Sequence, residues 1–562
     1  MLKSRREAGF ALALHALLCT LRFPRQSALC ILHSAFFAAS VLLPHPSFAQ
    51  AAPRWTRGAT CYEVFVRSFR DSDGDGIGDL RGLIRSLDYL NDGNDRTTSD
   101  LGVRCLWLMP VSESPSYHGY DVADYYRVDR EYGTNEEFKR LVTEAHRRGI
   151  RLLVDLVLNH VSSEHPAFQA ALRDPDSPWR TWFRFSPVEG PRNRWGGNNW
   201  HKSPLRDEYY YGFFWRGMPD LNYRQPEVLA EMKRVARFWL KEMGADGFRL
   251  DAVKFLVEEA ERVDDTPGTH QVLREYASHV RRIRSDAFTI GEVFDSTGAL
   301  LSYYPDQLDG YFAFEIADSL IAGAREGRGR GVLAPVLRLQ ERLPAWRWSP
   351  FLRNHDQPRT RTELGGDWQA ARLAAVLLLT LPGLPFVYYG EELGMTGPKP
   401  DERIRTPMAW SREGPHAGFT TGRPWQPLAD DSLEANVAAQ DHDPGSLLSL
   451  YRRLIHLRAE HPALAEGRLV PLAASHDAVT GFIRRQGRRA VLVVANLGRS
   501  PLANVTLQSD SAVLPRGTYA LRDRLGGVTG ASLTARDGRI RAFVPLPELP
   551  PQTAYVFDLV RR

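Results

Sequence analysis

The chain has 562 residues, 43% hydrophobic and 25% charged, which exceeds one ordinary domain and excludes both a disordered chain and a membrane-saturated one. Its net charge is +5, but residues 1–49 hold five Lys/Arg against one Glu, and taking their +4 from the total leaves about +1. That balance excludes the basic footprint of a nucleic-acid partner.

Residues 1–49 differ in kind from the rest. Lys3, Arg5 and Arg6 precede an apolar run over 28–43, and Ser47-Phe48-Ala49 fits a small-x-small cleavage site. This reads as an export signal ending near Ala49, with a periplasmic or extracellular destination and no membrane partner after cleavage. The run also approaches the length of a bilayer span, so a retained anchor is the alternative. Two of the four cysteines fall here. The others, Cys61 and Cys105, open the strand-like runs CYEVFV and CLWLMP and read either as a disulfide or as two buried thiols.

From residue 50, short apolar runs alternate with helical patterns. Residues 62–66, 105–109, 152–158, 247–250, 288–291, 311–314, 351–352 and 385–389 read as strands, and 135–148, 227–243, 271–284 and 368–379 as amphipathic helices. This order predicts an α/β fold, a parallel (β/α)8 TIM barrel with its chemistry at the strand C-terminal ends. The pattern stops over 161–225, a segment rich in Trp, Tyr, Asn and Gly that reads as a subdomain inserted after the third strand. Its aromatic residues suit either one wall of a carbohydrate cleft or a small core of their own. Alternating strands over 464–562 predict a C-terminal all-β sandwich, which leaves 50–160 and 226–463 as the two parts of the barrel.

Several segments carry chemistry. After the first strand, DSDGDGIGDL offers Asp71, Asp73, Asp75, Asp79 and the Ile77 carbonyl to a hard cation, with Gly76 allowing the bend; a structural Ca2+ is expected, a solvated acidic turn being the alternative. Residue 82, where an EF-hand would place a glutamate, is glycine. Tyr120 and Asp121 pair an aromatic face with a carboxylate in a strand-to-helix loop, a combination that holds a sugar ring. His160 emerges at the end of the third strand, and Asp155 within that strand needs partners.

In GFRLDAVK, Arg249 and Asp251 share one strand face. The arginine is expected to lower the pKa of Asp251 and keep it an anion, as a nucleophile requires; the alternative is a structural ion pair. Glu292 ends the fifth strand, and Asp356 follows the seventh in Asn354-His355-Asp356. Three acids at neighbouring strand ends repel one another, which raises one pKa and makes a proton donor. Two carboxylates about 5 Å apart across a glycosidic bond perform retaining hydrolysis.

DLVLNH (155–160), GFRLDAVK (247–254), GEVF (291–294), FLRNHD (351–356), GYD (119–121) and MPDLN (218–222) together resemble the α-amylase family of glycoside hydrolases. The resemblance covers essentially the whole chain after the signal. It implies Asp251 as nucleophile, Glu292 as general acid/base and Asp356 as the third carboxylate. Arg249, His160 and His355 would contact the same glucosyl unit, with Tyr120 stacked beneath it. MPDLN resembles the intermediate group between oligo-1,6-glucosidases and neopullulanases. Ala252 and Lys254 resemble α-1,4-acting amylases, where the lysine contacts the leaving-group side, and Phe255 departs from the histidine usual there. The activity implied is an exported, monomeric α-amylase acting on starch or malto-oligosaccharides. An α-glucosidase, an oligo-1,6-glucosidase or a trehalose synthase-like transglycosylase is the second reading. A barrel that only binds carbohydrate is the third, and the intact set of acids argues against it.

Overall fold

The computed structural model describes residues 52–193, 196–259 and 261–562. The export signal expected over 1–49 lies outside them, and no helix of the described residues is long and apolar enough to cross a membrane.

Eight parallel strands run β1 (Cys61–Val64), β2 (Cys105–Leu108), β3 (Arg151–Val157), β4 (Gly247–Asp251), β5 (Phe288–Gly291), β6 (Gly310–Phe312), β7 (Trp348–Ser349) and β8 (Phe386–Tyr388). From β1 to β7 each pairs with its sequence neighbours, and β1 also pairs with β8, Cys61 opposite Phe386. Two backbone bonds join β8 to the β7 side, Leu384 N–H to Trp348 O at 3.1 Å and Phe386 N–H to Pro350 O at 3.0 Å. The predicted (β/α)8 barrel is the fold observed.

The strand positions differ from the sequence reading where proline intervenes. The seventh strand is Trp348–Ser349, not 351–352, because Pro350 has no N–H to give to the ladder and the chain leaves the sheet there. The first strand ends at Val64, and Val66–Phe69 coils into a helical turn. The helix read as 271–284 begins earlier, at Pro267. Thr266 Oγ1 accepts the Thr269 N–H at 3.1 Å, and a proline in the first turn gives up no helical bond. The single helix expected over 227–243 is Pro226–Arg237 followed by a π-helical turn, Phe238–Glu242.

Cys61 and Cys105 face each other in the β1–β2 register and are joined as a disulfide, which resolves the open pairing. They sit inside the barrel with Trp107, Leu153, Phe288, Ile290, Phe312 and Phe386, all nearly or fully buried.

Between β3 and β4, Phe185–Ser186, Tyr209–Tyr211 and Trp200–Lys202 form a small antiparallel sheet. Phe168 packs edge-on against Phe183 and near Tyr210, both at 5.0 Å, so part of the aromatic content of this insertion is a core. After the helix Leu447–Glu460, a seven-stranded antiparallel sheet forms the C-terminal domain around Ile483, Leu492, Val494, Leu507 and Phe557.

Two buried arginines meet at the end of the barrel helix Trp368–Thr380, and one of them, Arg484, ties it to this sheet. Arg484, fully buried on its sheet strand, donates to Thr380 O at 2.5 Å, Leu464 O at 2.9 Å and Gly467 O at 2.8 Å. Arg458 donates to Leu379 O at 3.1 Å and Leu381 O at 2.6 Å. The helix Trp368–Thr380 thus ends in cations, where its unpaired carbonyls and dipole favour them. Burial pushes the pKa of Arg458 down to about 9, and burial with Arg458 nearby pushes Arg484 down as well. Replacing Arg484 with Met keeps the volume and strands the carbonyls. We expect a loss of about 3 kcal/mol in a denaturant titration.

Candidate active site

The site starts from the barrel register. Asp155 on β3 lies opposite Arg249 on β4, and Val157 opposite Asp251; Arg249 in turn lies opposite Ile290 on β5. Inward alternation therefore carries Asp155, Arg249 and Asp251 to the C-terminal end of the barrel, with Glu292 directly after β5.

Arg249 is a node, not half of a pair. Its guanidinium, fully buried, donates to Asp155 Oδ1 at 2.9 Å, Asp251 Oδ1 at 2.7 Å and Glu292 Oε2 at 2.7 Å, and reaches Tyr120 Oη at 3.4 Å. It lies over the Trp107 ring at 4.9 Å, and the Trp107 N–H donates to Asp155 at 3.1 Å. Directly after Asp251 the chain turns left-handed at Ala252 (φ 46°), and the Ala252 N–H donates to Glu292 Oε2 at 3.2 Å. A small side chain suits that backbone; a β-branched one would be strained.

A second node forms around His355. Its Nδ1 meets Glu63 Oε1 at 2.5 Å, and its Nε2 meets Tyr120 Oη at 2.6 Å and Asp356 Oδ2 at 3.1 Å. The Tyr120 ring stacks on His355, 5.4 Å and 13° apart. Arg405 donates to Asp356 Oδ1 at 3.0 Å, to Asp401 Oδ2 at 3.1 Å and to the His355 carbonyl at 3.0 Å.

The electrostatics separate the three acids. Burial raises the pKa of Asp251 to about 6: Arg249 pulls it down, but Asp155 and Asp356 push the other way. This reverses the sequence expectation, since one guanidinium shared among three carboxylates does not offset their desolvation and mutual repulsion. Burial likewise raises Glu292, to about 7, against Arg249 and with Asp251 and Asp356 adding to it. Asp356 goes the other way. Burial opposes its charge, but His355, Arg405 and Arg249 hold the carboxyl far below its ordinary value. His355 is raised to about 10: burial opposes the cation, and Asp356 and Glu63 outweigh burial.

A cavity of about 900 Å3 opens above these groups. Of the predicted residues, Tyr120, His160, Asp251, Lys254, Glu292 and Asp356 line it. Arg249 and His355 lie fully buried beneath the wall, behind the carboxylates they hold. Asp121 lies behind the wall too, its Oδ1 accepting from Ser114 at 2.8 Å and from Ser116. His160 Nε2 is buried without a hydrogen-bond partner, and burial lowers its pKa to about 3, so the ring is neutral. Lys254 Nζ lies 2.7 Å from Asp295, 3.4 Å from Asp264 and 3.8 Å from Asp265. Phe214, Trp215 and Met218 of the insertion complete one side, so the aromatic segment serves as both core and cavity wall.

Sequence reading missed Glu63 and Arg405. A carboxylate inside the apolar run CYEVFV is a signal that something inside the barrel must meet it. Arg405 lies in a long loop with no periodic pattern, and nothing local marks it.

Away from the cavity, carboxylate oxygens of Asp71, Asp73 and Asp79 lie within 4.8 Å of one another. Asp75 is not in that cluster; its Oδ1 accepts the Ile77 N–H at 2.7 Å. Asp71 accepts backbone N–H groups of Asp73, Gly74 and Gly76 at 2.8 to 2.9 Å and is bonded by Thr420. At Gly76 (φ 96°) a side chain would collide with the Arg423 carbonyl.

A parallel barrel with three carboxylates converging at its strand C-terminal ends, beneath an aromatic-walled cavity, defines an enzyme that works on glycosidic bonds. Residues 63–467 match the family profile described as alpha amylase, catalytic domain. "Alpha-amylase 3" of Dictyoglomus thermophilum is 38% identical over 453 residues, covering 79% of this chain and 86% of that protein. "Trehalose synthase/amylase TreS" of Mycobacterium tuberculosis is 35% identical over 520 residues, covering 80% and 83%. The crystal structure of an alpha-amylase from H. orenii superposes with a TM-score of 0.77 at 37% identity, covering 90% of this chain and 99% of that one. The chain belongs to the alpha-amylase family of glycoside hydrolases, family 13.

Proposed function

We propose that the protein is a retaining α-glucan hydrolase, an α-amylase that cleaves α-1,4-glucosidic bonds of starch and maltodextrins. The observation that carries the reading is the shared Arg249, which holds Asp251 and Glu292 together while burial and repulsion place their pKa values at about 6 and about 7. Near neutral pH, Asp251 is then mainly the anion and Glu292 keeps much of its proton. Asp251 attacks the anomeric carbon and Glu292 protonates the leaving oxygen. A covalent glycosyl-enzyme forms, and Glu292, now a base, activates the water that releases it. Asp356, ionised by His355 and Arg405, accepts from sugar hydroxyls. Tyr120 and the neutral His160, with its free ring nitrogen, position the same sugar. The N-terminal pattern supports an exported enzyme.

A second reading is an α-glucosidase or a transglycosylase of trehalose synthase type. Similarity to the trehalose synthase/amylase supports it, since a sugar in place of water can intercept the same intermediate. A product time course on maltoheptaose, maltose and isomaltose separates the two. Mixed-length maltooligosaccharides appearing first support the amylase; glucose alone, released from the short sugars, sinks it. Asp251→Asn should abolish all turnover while sparing substrate binding.

The pH profile follows from the site. Activity needs Asp251 deprotonated and Glu292 protonated, so kcat/KM should rise as pH climbs through about 6 and fall above about 7. Because the two acids repel, the limbs report the pair. A profile still rising at pH 9 contradicts the assignment.

The aspartate loop fits calcium. Its three carboxylates lie within 4.8 Å of one another, about twice a Ca–O bond of 2.3–2.6 Å. Asp71, Asp73 and Asp79 would hold a structural Ca2+, while Asp75, expected as a further ligand, lies outside their cluster with its Oδ1 on the Ile77 N–H. The charge of the ion would relieve the repulsion among the three and pin this loop to 419–425, where Trp425 stacks on Tyr117 beside the cavity-lining His118. A chelator should lower the melting midpoint, and added Ca2+ should restore it; a midpoint indifferent to both counts against the ion.

A further inference from the structure

A second cavity, of about 180 Å3, shares no lining residue with the catalytic one. Its walls come from two barrel helices, Trp368–Thr380 and Leu447–Glu460, and from residues 523–526 and 552–555 of the C-terminal sheet domain. Pockets for organic ligands begin at about 300 Å3, so this space suits a small ion better than a glucan chain.

Two arginines, Arg372 and Arg453, line it, and among the described residues neither forms an ion pair. Arg453 is fixed by three carbonyls: its Nε donates to Ser449 O at 3.4 Å, Nη1 to Leu525 O at 2.7 Å and Nη2 to Pro444 O at 2.9 Å. Arg372 spends only Nη1, on Gly445 O at 2.7 Å and Ser446 O at 3.0 Å, so its Nε and Nη2 have no partner among the described residues. Burial lowers the Arg372 pKa, and the Arg453 charge adds to that, with Asp443 opposing. The two cations thus repel each other, and an anion between them would relieve it. The lining carboxylate, Asp523, is turned to its own loop: Oδ1 accepts the Leu525 N–H at 2.9 Å and Oδ2 the Val528 N–H at 3.4 Å. Gln552, 8% exposed, lines the same cavity, and its buried Nε2 has no hydrogen-bond partner. A buried donor left unmet is costly, which points to an acceptor that fills the site.

We propose that this cavity binds one small tetrahedral oxyanion, sulfate or phosphate, and that the anion ties the barrel helices to the C-terminal sheet. Arg372 supplies its Nε and Nη2 donors, Gln552 its unmet amide, and Arg453 a charge held in place by the carbonyls around it. A guanidinium fork matches the oxygens of such an anion, which accept and do not compete for the carbonyls. Only folding brings these four segments together. The unfolded chain therefore lacks the site, and the bound anion stabilises the folded enzyme by mass action.

The test melts the full-length enzyme at one scan rate while sulfate and phosphate are titrated separately, chloride making up the ionic strength. The wild-type midpoint should rise by about 2 °C and saturate. Arg372→Gln and Gln552→Met should each lose at least half of that rise while keeping the circular dichroism of the wild type, which shows that they fold. General salt stabilisation, and calcium withdrawn by phosphate, act on all three proteins alike, so the difference between them isolates the site. A rise that never saturates, a rise equal in all three proteins, or no rise at all overturns the proposal. So does a saturable rise with maltose that both variants lose and neither anion produces, since it assigns the cavity to a sugar.

Discussion

The active end of the barrel depends on one buried cation. Arg249 is fully buried, and its two terminal nitrogens donate to Asp155, Asp251, Glu292 and Tyr120. Without it, three carboxylates from three consecutive strands would face one another in a poorly solvated interior, at a penalty of several kcal/mol per ion. With it, they are held close yet remain unsettled enough to exchange protons near neutral pH. A pair would have neutralised itself; sharing one cation among three anions leaves a deficit, and that deficit is what places two pKa values in a useful range.

The His355 node is the counterpart. Here the charges balance more fully, with Glu63 and Asp356 on either side of one imidazolium and Arg405 behind Asp356. Balance makes Asp356 a fixed anion, whereas imbalance makes Asp251 and Glu292 responsive. Tyr120 touches both nodes, bonding to Asp155 on one side and His355 on the other, so the two orient each other through a single phenol.

Much of this was legible in the sequence because barrel chemistry is tied to strand ends, and strand ends can be read from short apolar runs. Asp251 and Glu292 follow from strands read in place and Asp356 from a strand read too late in the chain, and the structure brings the three together at one cavity. What escaped was what depends on distant partners. Arg249 beside Asp251 reads locally as an ion pair, and only the β3–β4–β5 register reveals the other claimants on its protons. Asp121 reads locally as a sugar ligand, and only the fold shows Ser114 and Ser116 bonded to its Oδ1. The seventh strand was placed by hydrophobicity, which cannot weigh the N–H that Pro350 lacks.

The pairing of Glu63 with His355 bridges 292 residues of sequence, and β1 closes the barrel only against β8. A chain emerging from the ribosome N-terminus first therefore carries Glu63 on an open sheet edge until most of the enzyme has been made. Burying that carboxylate early, before its imidazole exists, would be unfavourable. The His355 node therefore cannot be completed until residues 292 positions downstream of Glu63 have been made.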